Sequence, residues 1–150
     1  MIINVSIEIG RRPNDVFPWL SDVDKAMKWQ RNVKSQEIIE KAEHFTGTKF
    51  KETIEEDGNS LEMQGVITKY VLNQEISFHL ESKIHQVDVT YSVQNYNDNS
   101  KIFVDATIKW NFPINLIAAI RGKKMQEELF RQMKTELNEL KTLCENDIAK

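Results

Sequence analysis

MQEELFRQMKTELNELKTLC, residues 125–144, carries its apolar residues at three- and four-residue steps: Met125, Leu129, Met133, Leu137, Leu140 and Cys144. That period puts them on one side of an α-helix. Much of the chain before it shows instead the two-residue period of strands. A single amphipathic helix at the end of a run of strands must bury its stripe against their sheet. The layer solution is α+β, a curved antiparallel β-sheet wrapped around a long C-terminal α-helix.

Immediately upstream, Ala118 and Gly122 continue the helical stripe, whereas Leu116, Ile117 and Ile120 project elsewhere. The segment from Ile114 to Gly122 is therefore expected to be a distinct lead-in, bent at Gly122, because glycine weakens a helix interior. Its apolar residues either pack on the sheet's end, close the mouth of a pocket, contact a membrane surface or form a dimer interface.

Further toward the N-terminus the strands follow in order. Ile102, Val104, Ala106, Ile108 and Trp110 share one face, and Asn97-Asp98-Asn99 turns the chain back to Val87, Val89, Tyr91 and Val93. Ile76, Phe78 and Leu80 come before these, and a turn near Asn73-Gln74 joins them to Leu61, Met63, Gly65 and Ile67. Asp57-Gly58-Asn59 supplies the residues of a tight hairpin turn to the strand Thr48 to Glu56, which alternates through Phe50 and Ile54. Gln36 to Lys41 reads as a weak strand. Adjacent hairpins imply an antiparallel meander with one buried face.

Two short helices are expected before it. Pro13-Asn14-Asp15 is a helix start, with Val16, Phe17, Trp19 and Leu20 on its buried side. Ser21 and Asp22 cap a second helix carrying Val23, Ala26, Met27 and Trp29. Ile3, Val5, Ile7 and Ile9 alternate with polar residues as the first strand. The short helices then plug one open end of the curved sheet with Phe17, Trp19 and Trp29.

The length of 150 residues fits one domain, 1–150, which buries roughly 68–70% of the surface of its unfolded chain without disulfides or metal. The one cysteine, Cys144, excludes an intrachain disulfide, points to a reducing compartment and reads as a small core residue. The N-terminus runs straight into a strand with no signal-peptide pattern, so a cytoplasmic protein is expected. No apolar run approaches the about 20 residues a transmembrane helix needs. A net charge of −3 with both signs interspersed gives no footprint for nucleic acid.

The order of elements, with Val5-Ser6-Ile7-Glu8-Ile9, then PNDVFPWLSD at 13–22, the Lys28-Trp29-Gln30 ending and the final helix with Leu129, Leu137 and Leu140, resembles the START-like superfamily over nearly the whole chain. Within it, the sequence is most similar to bacterial polyketide cyclase/dehydrase-type SRPBCC domains, which are Bet v 1-like. The resemblance implies a helix-grip fold with a deep hydrophobic cavity. Its members bind lipids, hormones or polyketides, catalyse cyclisation or act as partner-binding modules, and they share no catalytic motif.

If each strand turns its apolar face inward, the pocket is lined by Phe50, Ile54, Met63, Ile67, Phe78, Leu80, Val89, Tyr91, Val104 and Ile108. Trp29 covers one end, and Met125, Leu129 and Met133 face the sheet from the helix. The methionines either form an adaptable wall or simply fill a core. Leu116, Ile117 and Ile120 are candidates for the pocket mouth. Glu52 falls on the inward parity between Phe50 and Ile54, where a carboxylate needs a partner or a raised pKa. It either orients a ligand, acts as an acid or base, or meets water at the strand's end. Tyr91 is a second weak catalytic candidate, able to bond a ligand's polar end or a backbone carbonyl. Glu136 lies within the helix stripe by angle, either as a charge at the pocket edge or at the solvated end of the helix. His44, His79 and His85 have no metal-like spacing, and there is no phosphate loop or nucleophile elbow. The expectation is a monomer or weak homodimer, without metal or cofactor, that binds or carries a lipid- or polyketide-like molecule. The alternatives are a cyclase/dehydratase-type enzyme and a protein- or membrane-interaction module.

Overall fold

The computed structural model describes residues 1–56 and 58–147. The chain runs β1 (Ile2–Ile9), α1 (Pro13–Ser21), α2 (Val23–Ala26), β2 (Val33–Glu40), β3 (Lys49–Glu56), β4 (Asn59–Val71), β5 (Glu75–Glu81), β6 (His85–Tyr96), β7 (Asn99–Trp110) and α3 (Ile114–Asn146). The strands form one seven-stranded sheet in the order β1-β7-β6-β5-β4-β3-β2, and every neighbouring pair is antiparallel. Six strands form a meander, and β1 returns to the far side of β7.

Turn chemistry sets the register. Asn97 and Asp98 both have positive φ, 51° and 66°, which is the two-residue turn whose twist matches the strands it joins. Asn73, at φ 61°, performs the reversal between β4 and β5. Of the expected Asp57-Gly58-Asn59 turn, Gly58 has φ 78°, while Asp57 lies outside the described residues. Asp22 caps α2 by accepting a hydrogen bond from the Lys25 N–H at 3.1 Å, and Trp29 sits beyond that helix rather than in it.

The last helix differs from expectation. Residues 114–122 are continuous with the amphipathic segment in one 33-residue helix, with no break at Gly122. A single interior glycine costs only about 1 kcal/mol relative to alanine, and its neighbours Ala118, Ala119, Lys123, Lys124 and Met125 are strong helix formers.

α3 lies along β1, the strand at one edge of the sheet. Gln126 Nε2, Lys134 Nζ and Lys141 Nζ donate to the carbonyls of Ile2, Ser6 and Glu8 at 2.7, 3.0 and 2.9 Å. The helix thus satisfies and covers an edge that would otherwise offer itself to another strand. At its C-terminal end Arg11 Nη1 donates to the Cys144 carbonyl at 2.9 Å and also to that of Asp147, placing a cation where the helix dipole favours one. The opposite edge, β2, is interrupted by two register shifts and carries exposed Lys34, Glu37 and Glu40.

The core joins α1, the C-terminal half of α3 and the β1, β6 and β7 part of the sheet, through Phe17, Trp19, Ile102, Val104, Leu137 and Leu140 among others. Cys144 is buried within it. Among the described residues no helix is long and apolar enough to cross a membrane.

Candidate functional site

The sheet is wider than the helix can cover. Because α3 lies along β1, it leaves much of the inner face of β3, β4 and β5 uncovered; α1 reaches only the end of that span, where Phe17 meets Tyr70 edge-on at 5.6 Å and Ile76 joins the core. A cavity of about 310 Å³ opens over the uncovered part, at the lower end of the size of small-molecule sites.

Its apolar wall comes from alternate residues of the strands: Phe50 and Ile54 of β3, Ile67 of β4, Phe78 and Leu80 of β5, and Val89 of β6. Aromatic rings stiffen it. Phe50 meets Phe78 edge-on at 5.7 Å, Phe78 meets Tyr91 at 6.3 Å, and Tyr91 meets Trp29 at 5.9 Å. Trp29 is fixed in turn because its Nε1 donates to the Trp19 carbonyl at 2.8 Å, tying the segment after α2 to α1. His79, between Phe78 and Leu80, points to the other face and pairs with Asp88 at 2.7 Å and Glu81 at 3.1 Å.

Polar side chains also line the cavity. Glu52 is only 8% exposed and lines it together with Tyr91, Gln30, Gln36, Gln132 and Glu136. Gln36 stands opposite Glu52 in the β2–β3 register and bonds Gln30 at 3.3 Å. Burial raises the Glu52 carboxyl from 4.5 to about 7; a hydrogen bond from Gln36 opposes the rise and the charge of Glu136 adds to it. Burial raises Glu136 too, against the Arg31 backbone N–H that donates to its Oε2 at 3.2 Å. The Tyr91 hydroxyl is pushed up by burial, then by Glu136 and Glu52. Two carboxyls and a phenol therefore sit in a space where ionisation is costly. Each can hydrogen-bond a ligand, and Glu52 can exchange a proton near neutral pH.

Several expected residues lie elsewhere. Val104 belongs to the packed core and Ile108 is buried beside it on β7, because that strand lies under α1 and α3 rather than under the open span. Met63 shares a face with Glu52 by register but is buried without contributing to the cavity wall. Met125, Leu129 and Met133 are half-buried and also do not line the cavity. Met133 packs on the core. The helix instead presents Gln132 and Glu136, one turn apart, so its cavity side is polar and not methionine-rich. Leu116, Ile117 and Ile120 are not at the mouth. The exposed residues of the wall are Asp22, Glu37, Ile38, Lys41 and Phe45, so the opening lies between α2, β2 and the loop before β3.

Gln36, Gln132 and the mouth residues are absent from the expected lining. The pairing of Gln36 with Glu52 is the only sequence-level signal for the first of these, and the bulges in β2 hide that register. Among the described residues no cluster of His, Cys, Asp and Glu has metal-binding geometry.

No protein-family model matches the chain, and no curated protein matches it by sequence. Solved structures do match over almost its full length. A protein from Thermus thermophilus superposes with a TM-score of 0.77 at 14% identity, covering 96% of this chain and 97% of that one. Ara h 8.0201, of the Bet v 1 family, superposes at 0.62 with 18% identity, over 93% and 97%. DynU16, from the dynemicin biosynthetic locus, gives 0.69 at 10% identity over 97% of this chain but 47% of its own, so this chain spans about half of DynU16. The likeness establishes the fold: a Bet v 1-like helix-grip domain, as the sequence resemblance implies.

Proposed function

We propose that this helix-grip protein binds or carries a hydrophobic small molecule with one polar end, of the lipid or polyketide class, in the cavity under β3–β5. The observation that carries the reading is an aromatic and aliphatic wall from β3–β6 that also holds Glu52, Tyr91 and Glu136, close enough for their charges to act on one another. Such a surface buries an apolar body and orients one polar group. Similarity to a protein of the dynemicin biosynthetic locus supports the polyketide side of that class. A monomer or weak homodimer in the cytoplasm suits a carrier of this kind.

Native mass spectrometry of gently purified protein, followed by uptake assays with a panel of fatty acids and aromatic polyketides, tests the reading. Retention of one ligand per chain, abolished by filling the cavity with Ile67→Trp, is expected. An interior that retains and takes up nothing overturns it.

A second reading rests on Glu52 alone. A buried carboxyl near pH 7 can protonate a bound substrate, with Tyr91 positioning it, as a cyclase/dehydratase-type enzyme requires. Conversion of a polyketide-like substrate, lost in a Glu52→Gln, Tyr91→Phe variant that still binds it, is the expected outcome. Undiminished turnover by that variant rejects the assignment.

A further inference from the structure

At the start of α3 the molecule exposes four large apolar side chains that neither the core nor the cavity uses: Phe112 (78% exposed), Leu116 (55%), Ile117 (49%) and Ile120 (86%). At about 100° per residue, Leu116, Ile117 and Ile120 fall within one 100° arc of the helix. Lys123 and Lys124 lie one turn further along, at the two flanks of that arc, and both are exposed, as is Arg121. The local charge runs against that of the whole molecule. Between Asp105 and Glu127 there is no acidic residue, while Lys109, Arg121, Lys123 and Lys124 are all basic, in a chain of net charge −3.

We propose that this tip of α3 docks the protein on an anionic lipid surface, with Phe112, Leu116, Ile117 and Ile120 entering the acyl boundary and Arg121, Lys123 and Lys124 meeting lipid phosphates. Apolar insertion and a basic patch are each weak alone and suffice together, which is the usual logic of peripheral attachment. The charge distribution selects lipid over a second copy of the chain. A two-fold contact through this face would bring Arg121, Lys123 and Lys124 of both copies together, and the nearest acidic residues on the helix, Glu127 and Glu128 one turn further along, offset only part of that charge. The docking tip is also separate from the cavity mouth at α2 and β2, so attachment and ligand binding are independent properties.

Co-sedimentation of the full chain with phosphatidylcholine vesicles, and with vesicles of equal parts phosphatidylcholine and phosphatidylglycerol, decides the matter. Binding is expected to the anionic vesicles, with weakening by about tenfold or more in Lys123→Glu/Lys124→Glu. It is also expected to be lost in Ile117→Asp/Ile120→Asp, while that variant keeps the wild-type melting temperature and ligand uptake. Three results overturn the proposal: no binding to either vesicle, binding indifferent to both variants, or sedimentation equilibrium showing a dimer that Ile117→Asp/Ile120→Asp dissolves.

Discussion

The ring of Phe50 lies across Gly65 on the neighbouring strand, so close that a Cβ on Gly65 would stand 2.3 Å from the ring's Cζ. The two residues are direct partners in the β3–β4 register. The missing side chain lets an aromatic ring lie against the sheet and leaves the space above it open. Glycine here provides room, not backbone freedom.

Gly65→Ala is therefore expected to drive the Phe50 ring off the sheet and into the cavity. Overpacking of this kind destabilises by about 1–3 kcal/mol. The distinguishing readout is binding of an apolar fluorescent probe. It should fall in Gly65→Ala and recover in the double variant Gly65→Ala/Phe50→Leu.

The raised Glu52 carboxyl makes stability depend on pH. Its folded pKa is about 7 against an ordinary 4.5, so between those values the folded state holds a proton that the unfolded state has released. Its contribution to stability is present below about pH 4.5 and is lost as pH rises through 7. Glu136, also raised, acts in the same direction. Glu52→Gln cannot ionise, so it should gain on the wild type by up to about 3 kcal/mol between pH 4.5 and pH 8. Urea unfolding at the two pH values measures the gain, and an unchanged difference contradicts it.

Burial pushes the Cys144 thiol up to about 12. A protonated thiol in the packed core is a poor nucleophile and is closed to reagents. Native protein should therefore react with a chromogenic disulfide no faster than it opens, and one thiol should be released at once in urea.

The two ends of α3 should respond differently to mutation. Leu140→Ala, in the core at the C-terminal end, is expected to cost about 2–5 kcal/mol by leaving a cavity. Ile120→Ser, on the exposed tip, should stay within about 0.5 kcal/mol. Thermal melts of the two variants make the comparison.

Local signals carried the reading of the elements. The periods at Ile3–Ile9 and Met125–Cys144, the Asn97-Asp98 turn and the Asp22 cap are written in neighbouring residues, and neighbours meet whatever the rest of the chain does. Parity likewise put Phe50, Glu52, Ile54, Phe78, Leu80, Val89 and Tyr91 on the inner face. Parity names a face, however, and cannot tell which part of that face is covered. Val104 and Phe78 have the same sequence signature, yet one is packed in the core and the other lines a cavity, because α3 lies along β1 and not across the middle of the sheet.

By itself, then, the sequence determined most of the elements, their order and a curved antiparallel sheet closed by a final helix, since periodicity and turn chemistry act over a few residues. The helix-grip fold was what the family resemblance implied. Only the tertiary structure decided where the cavity lies, that its helix wall is Gln132 and Glu136 and not methionine, that it opens beside α2, and that Ile120 faces outward. Those outcomes depend on where a rigid helix comes to rest on a sheet wider than itself, and that position is fixed by contacts between residues more than a hundred positions apart, such as Lys134 with Ser6.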